Sequence, residues 1–245
     1  MFEPRVALAS LSGEADAAWA RDASDYAGLA VLGGLALDDA TQRAAREMVA
    51  DRDRTEFLPD DPIDFLAGEL DALADADIRA GFNVRTTTLA PLRAASRECA
   101  RRDAVLEVNA HCRQSEMCDA GAGESLLRDG ERLAEQVAAA SDAGATVSVK
   151  VRAEVDGVDL PALAARLDSA GADCLHVDAM DSEPVIREVR ESFDGFLVAN
   201  NGVRGRETVH EYLDYGADAV SVGRPSDNPR VLARVRDATA EWFDA

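Results

Sequence analysis

The chain has 245 residues, 47% of them hydrophobic, and 47 acidic side chains against 26 basic ones give a formal charge of -21. That is enough apolar sequence for one large α/β domain or two small ones, and it lacks the basic surface on which nucleic-acid binding normally rests. No apolar run approaches the roughly 18 residues needed to cross a bilayer, and Met1-Phe2-Glu3-Pro4 has no basic segment leading into an apolar one, so a cytoplasmic protein without a membrane partner is expected.

Such an excess of acid suits a cation-binding surface, a basic partner or concentrated salt. Salt is the simplest reading, because the carboxylates are scattered along the whole chain and arginine replaces lysine nearly everywhere. In molar salt the Debye length falls to about 3 Å, and crowded surface carboxylates no longer repel one another. A halophilic protein is therefore expected.

Eight short apolar runs follow one another: Val6–Ala9, Gly28–Leu32, Ile78–Arg85, Val105–Asn109, Thr146–Arg152, Cys174–Asp178, Phe196–Asn200 and Ala219–Val222. Between them, stretches such as Glu124–Ala143, Asp159–Ala170 and Glu207–Tyr215 carry apolar residues at helical spacing and much alanine. Several close on Gly-Ala, at Gly144-Ala145, Gly171-Ala172 and Gly216-Ala217, as a glycine just past a helix would. Eight strand–helix units in this length predict an α/β fold, a (β/α)8 TIM barrel forming one domain over residues 1–245, although an open doubly wound sheet uses the same alternation.

A barrel places its active site at the carboxyl ends of its strands. Unusual polar residues gather there: Asn83 and Arg85, Asn109 through Cys112, Lys150 and Arg152, His176 and Asp178, Asn200 and Asn201, Gly223 and Arg224. Lys150 is the only lysine in the chain. On a strand it shares a face with Ser148 and Arg152, while Val147, Val149 and Val151 face the other way. An inward ammonium there suits a carbonyl or ring nitrogen of a cofactor, where it would stabilise charge developing during reduction; a solvated surface lysine is the ordinary alternative.

Asn200-Asn201-Gly202 and Gly223-Arg224 end the last two strands, where barrels commonly cradle a phosphate, and Arg224 would add a charged contact. A plain Asn-Gly turn is the competing reading. Cys112 is either a small buried hydrophobe or, given its place between a strand end and a glycine-rich segment, a proton donor or nucleophile. His111 points away from Cys112 if the strand alternation continues. His176 suits a phosphate ligand, a substrate contact or a hydrogen-bonded core histidine. The four cysteines, Cys99, Cys112, Cys118 and Cys174, have no paired spacing, which points to reduced thiols and no metal site.

The segment Glu107-Val108-Asn109-Ala110-His111-Cys112-Arg113, followed by Ala120-Gly121-Ala122-Gly123-Glu124-Ser125-Leu126-Leu127-Arg128-Asp129, resembles the tRNA-dihydrouridine synthase pattern of asparagine, two residues, catalytic cysteine and a glycine-rich stretch. In register with it, Leu8-Ala9-Ser10-Leu11-Ser12-Gly13 is similar to the first-strand flavin loop, Asn83 stands where the family has glutamine, and Lys150 matches the flavin-contacting lysine. Asn200-Asn201-Gly202 and Gly223-Arg224 match the flavin phosphate loops. The resemblance implies an FMN-binding barrel in which NADPH or NADH reduces the flavin, a hydride passes to a uridine carbon, and Cys112 protonates the neighbouring carbon. It implies catalytic roles for Cys112 and Lys150, and cofactor contacts from Ser10, Leu11, Ser12, Asn83, Asn109, Lys150, Arg152, His176, Asn200, Asn201, Gly202, Gly223 and Arg224. The partner it implies is a pyrimidine-containing substrate.

The sequence departs from that family at Arg113, where proline is usual, at Ser10, which replaces a proline, and at Asn83. Synthases acting on tRNA carry a further C-terminal helical domain, and Asp227–Ala245 is long enough for the closing barrel helix alone. With the acidic charge, this weakens the tRNA expectation more than the flavin one. A dihydroorotate- or dihydropyrimidine-dehydrogenase-like flavoenzyme acting on a free pyrimidine, with Cys112 as base, is the nearest alternative. A non-catalytic barrel binding a phosphoribosyl ligand is the other.

Overall fold

Side-chain alternation along each strand decides what this fold places inside and what it gives to the helices. In the computed structural model, which describes residues 1–51 and 55–244, eight parallel strands close into a barrel in chain order. They are β1 (Val6–Leu8), β2 (Leu29–Ala36), β3 (Arg79–Arg85), β4 (Val105–Asn109), β5 (Thr146–Arg152), β6 (Cys174–Asp178), β7 (Phe196–Asn200) and β8 (Ala219–Val222), and β1 pairs with β8 to complete the ring. Helices follow the strands and cover the outside, so the architecture is a (β/α)8 barrel. Among the described residues no helix is long and apolar enough to cross a membrane.

Val147, Val149 and Val151 are fully buried in the main core cluster beneath the helices. Each such side chain contributes about 1.5–3 kcal/mol by leaving water. The barrel interior is layered. Ala7, Leu29, Val31, Val105, Cys174, Val198 and Ala219, with Phe2, form a separate apolar cluster that plugs the amino end. Polar residues begin above that plug, so the sequence's strand-end polar set faces a cavity closed from below.

Two elements differ from their sequence readings. β2 runs on past Leu32 to Ala36, with its register against β3 shifting between Gly33 and Leu35. The Gly33-Gly34 pair lets strand and neighbour approach: a Cβ on Gly34 would lie 2.6 Å from Asn83 Oδ1. The Glu124–Ala143 stretch is two helices, Ser125–Arg128 and Gly130–Asp142, because Asp129 caps the second by accepting from Arg132 N at 3.2 Å.

Asp38, just beyond β2, ties two loops at the carboxyl end of the barrel. Its Oδ1 accepts from Thr41 N and Oγ1, while Oδ2 accepts from the hydroxyls of Thr86, Thr87 and Thr88 and from the backbone N–H of Thr87 and Thr88. Burial acts to raise its pKa, but these donors overcome it and hold the carboxyl well below the usual range. Replacing Asp38 by Ala strands the threonine donors and is expected to lower the unfolding free energy by about 2 kcal/mol, seen as a lower urea midpoint at unchanged slope.

Candidate functional site

The centre of the barrel holds a carboxylate, Glu107 on β4, that is 1% exposed. It accepts from Asn83 Nδ2 at 2.7 Å, from Ser148 Oγ at 3.2 Å and from His176 Nδ1 at 2.8 Å. With Nδ1 donating, His176 Nε2 accepts from Ser221 Oγ at 2.7 Å and from Asn200 Nδ2 at 3.3 Å. Burial pushes the Glu107 pKa upward, but the His176 ring, Lys150 and Asn83 outweigh it and hold the group at about 2. An ionised, hydrogen-bonded floor therefore spans β3, β4, β5, β6, β7 and β8.

Above this floor lies a cavity of about 530 Å³, within the range of sites for cofactors and small ligands. Lys150 lines it and is 5% exposed, with no ion pair within 4 Å among the described residues. Burial pulls the Lys150 pKa down, while Glu107 below and Asp178 beside it favour the charged form. Arg85 is bound to Glu56 at 2.8 Å, with both side chains 1% exposed, and also donates to Ser12 Oγ. Arg152 pairs with Glu124 at 2.6 Å, and its buried Nε has no hydrogen-bond partner among the described residues. The walls thus present several fixed donors, a set suited to an anion bearing carbonyl groups.

Cys112 enters the cavity on a loop whose shape is set from two sides. Asn109 Oδ1 accepts the backbone N–H of His111 at 3.1 Å and of Cys112 at 2.9 Å, while its Nδ2 donates to Asn83 Oδ1 at 2.8 Å. From the other side, Glu124 N donates to Cys112 O at 2.8 Å. Gly123 sits at φ +62 against this carbonyl, and a Cβ there would come within 2.3 Å of Cys112 O, so a side chain cannot be accommodated. The glycine-rich stretch is the packing partner of the thiol loop. All four cysteines are free; burial pushes Cys99 and Cys174 up to about 12, leaving Cys112 as the one that lines the cavity.

Ser10, Leu11, Ser12, Asn109, Cys112, Lys150, Arg152, Asn200, Asn201, Gly223 and Arg224 all line this one cavity. Asn83 and His176, read from the sequence as cofactor contacts, are buried in the floor with their polar atoms engaged by Glu107, Asn109 and Ser221. Gly202 lies in the adjoining turn at φ +64, outside the cavity wall. Sequence reasoning missed Glu107 as a centre, Glu56 and Glu124 as arginine partners, and Ser221. A glutamate among apolar strand residues was the available signal for the first; the others join across distant segments. Among the described residues no group of His, Cys, Asp or Glu is placed to hold a metal ion.

Replacing Glu107 by Gln is expected to lower stability by about 3 kcal/mol near neutral pH, because it breaks a buried ionic network. Since the folded pKa of Glu107 is depressed from 4.5 to about 2, the gap between wild type and variant is complete above pH 4.5 and narrows as pH falls toward 2. In the same variant the ε-methylene NMR signal of Lys150 should titrate at lower pH than in wild type.

The dihydrouridine synthase family profile matches residues 89–244. An uncharacterized protein of Methanocaldococcus jannaschii, MJ0144, is 26% identical over 236 residues, covering 91% of this chain and 89% of its own. Among solved structures, FabK from Thermotoga maritima superposes with a TM-score of 0.60 at 15% identity, over 96% of this chain; this chain spans only 64% of FabK. Morphinone reductase in complex with tetrahydroNAD gives a TM-score of 0.63 at 15% identity, over 95% of this chain and 87% of the other. These two likenesses show the barrel fold. The family match extends over most of the sequence and includes the Cys112 loop, Lys150 and the Gly223 loop, and the chain accordingly belongs to the dihydrouridine synthase family of flavin-type oxidoreductases.

Proposed function

We propose that this protein is an FMN-dependent oxidoreductase that reduces the double bond of a pyrimidine ring, uridine in the family direction, with Cys112 as general acid and NADPH or NADH as electron donor. The observation that carries this reading is the convergence of Cys112, Lys150 and the Gly223-Arg224 loop on one cavity closed from below. The residues present fit the cofactor. A Cβ built on Gly223, in the cavity wall, would meet nothing within 4 Å, which leaves room for a phosphate near Arg224. The buried Nε of Arg152 has no partner, and Lys150 has no ion pair among the described residues.

FMN, when bound, supplies the hydride. The protein's part is to position and to handle charge and protons. Lys150 would stabilise negative charge on a ring carbonyl or nitrogen of the cofactor, and Glu107 and Asp178 favour its ammonium form. Arg224 and the loops of Asn200-Asn201 and Gly223 would hold the phosphate, while Ser10, Leu11 and Ser12 form one edge of the site. The Cys112 thiol gives its proton to the substrate carbon next to the one reduced, and the resulting thiolate takes a proton back from solvent. The Arg85 guanidinium lines the same cavity as Cys112. The nicotinamide donor is supported by the tetrahydroNAD bound to morphinone reductase on a similar barrel.

A second reading is a free pyrimidine as substrate, with Cys112 acting as base in the oxidative direction. The formal charge of -21 favours it over RNA, whose phosphates would be repelled wherever salt does not screen them.

Protein purified in concentrated salt is expected to show flavin absorption, or to acquire it with added FMN; a colourless protein that takes up none overturns the flavoenzyme reading. Cys112→Ala should retain flavin and lower uridine reduction by about 10²–10⁴-fold. Unchanged turnover removes the acid role. Missing dihydrouridine in the tRNA of a deletion strain selects RNA, and turnover of dihydroorotate or dihydrouracil selects the free ring.

A further inference from the structure

The flavin reading gives His111 no task, and Asp178 none beyond favouring the Lys150 ammonium. Asp178, at the end of β6, accepts from His111 Nε2 at 2.7 Å through Oδ2 and from Met180 N at 3.1 Å through Oδ1. Its carboxylate is therefore fixed at both oxygens. His111 is fixed as well, by the bond from its backbone N–H to Asn109. The two residues reach across the mouth from β4 and β6, with Lys150 on the strand between them.

This pairing dictates the state of the imidazole. An ionised carboxylate only accepts, so Nε2 carries the hydrogen. Burial, and to a smaller extent the charge of Lys150, holds the His111 pKa below its ordinary value despite Asp178, and the ring is neutral at pH 7. A neutral ring with hydrogen on Nε2 has a lone pair on Nδ1. That atom has no protein partner among the described residues, and the side chain, 30% exposed, lines the cavity with Cys112.

The surrounding wall carries five cations, Arg85, Arg113, Lys150, Arg152 and Arg224, beside the carboxylates of Glu14 and Asp178. An aimed acceptor among cations complements a ring in which an N–H stands between two carbonyls. We propose that His111, oriented by Asp178, is the cavity's acceptor for a cyclic-imide N–H, with neighbouring cations meeting the flanking carbonyls. Two rings in the proposed reaction carry this group, the flavin and the uracil of the substrate. The inference rests on the flavin–pyrimidine reading and gives that reading a specificity residue.

The test uses FMN-loaded protein, wild type and His111→Phe, which keeps a flat ring and removes the acceptor. Affinities are measured for FMN against its N3-methyl analogue, after removing and restoring the cofactor, and for uridine against 3-methyluridine. Wild type should prefer the unmethylated member of one pair by about tenfold, the worth of one hydrogen bond, and His111→Phe should lose that preference. The pair affected tells which ring His111 reads. With three histidines in the chain, the ring nitrogens can be followed individually by ¹⁵N NMR. His111 should show hydrogen on Nε2, and its Nδ1 signal should shift on binding of the ring it reads; Asp178→Asn should mix the tautomers. Equal preference in wild type and His111→Phe, or hydrogen on Nδ1 in the wild-type ring, overturns the inference while leaving the flavoenzyme reading in place. Failure to bind either FMN or uridine overturns both.

Discussion

A carboxylate deprived of water at the centre of a barrel must be satisfied entirely by protein, and that requirement organises the functional end of this molecule. Glu107 draws donors from Asn83, Ser148 and His176, and His176 in turn engages Ser221 and Asn200. Six strands are held in mutual register by these bonds in addition to their backbone ladders. A charge buried so deeply is costly unless fully paired. The compensation is functional, since the same negative charge favours the ammonium form of Lys150 in a place where burial works against it.

The interior is thereby graded from an apolar plug through an ionised floor to a cationic mouth. Each layer depends on the one beneath. Without the plug, water would enter the floor and weaken its electrostatics. Without the floor, Lys150 would lose much of its support, and Asn109 would lose Asn83, the residue that steadies it from below. Asn109 shapes the Cys112 loop, so the thiol's position follows, through two amides, from the burial of Glu107.

Periodicity made most of this fold legible. The alternation of Ser148, Lys150 and Arg152 against three valines correctly separated cavity from core, because a strand has two faces and the barrel gives each a distinct environment. The end of β2 was not legible, since Gly33-Gly34 signals a break unless one knows that Asn83 and Arg85 press against it. The cavity lining could be read from strand ends, but the floor could not. His176 meets a glutamate 69 residues earlier in the chain and a serine 45 residues later, and nothing local in sequence announces either encounter. His111 and Cys112 lie past the end of β4 and both line the cavity, so strand alternation does not separate them, and the His111 partner Asp178 lies 67 residues away.

Glu124 connects features that a sequence would treat as independent. Its backbone N–H holds the Cys112 carbonyl, and its side chain holds Arg152 and Arg128. The thiol loop and a cation on β5 consequently share one anchor, and displacing either drags on the other. Evolution of this site toward a larger or differently tilted ring would have to move both together, which makes Glu124 a point of low evolvability, where a single substitution changes reach and charge at once.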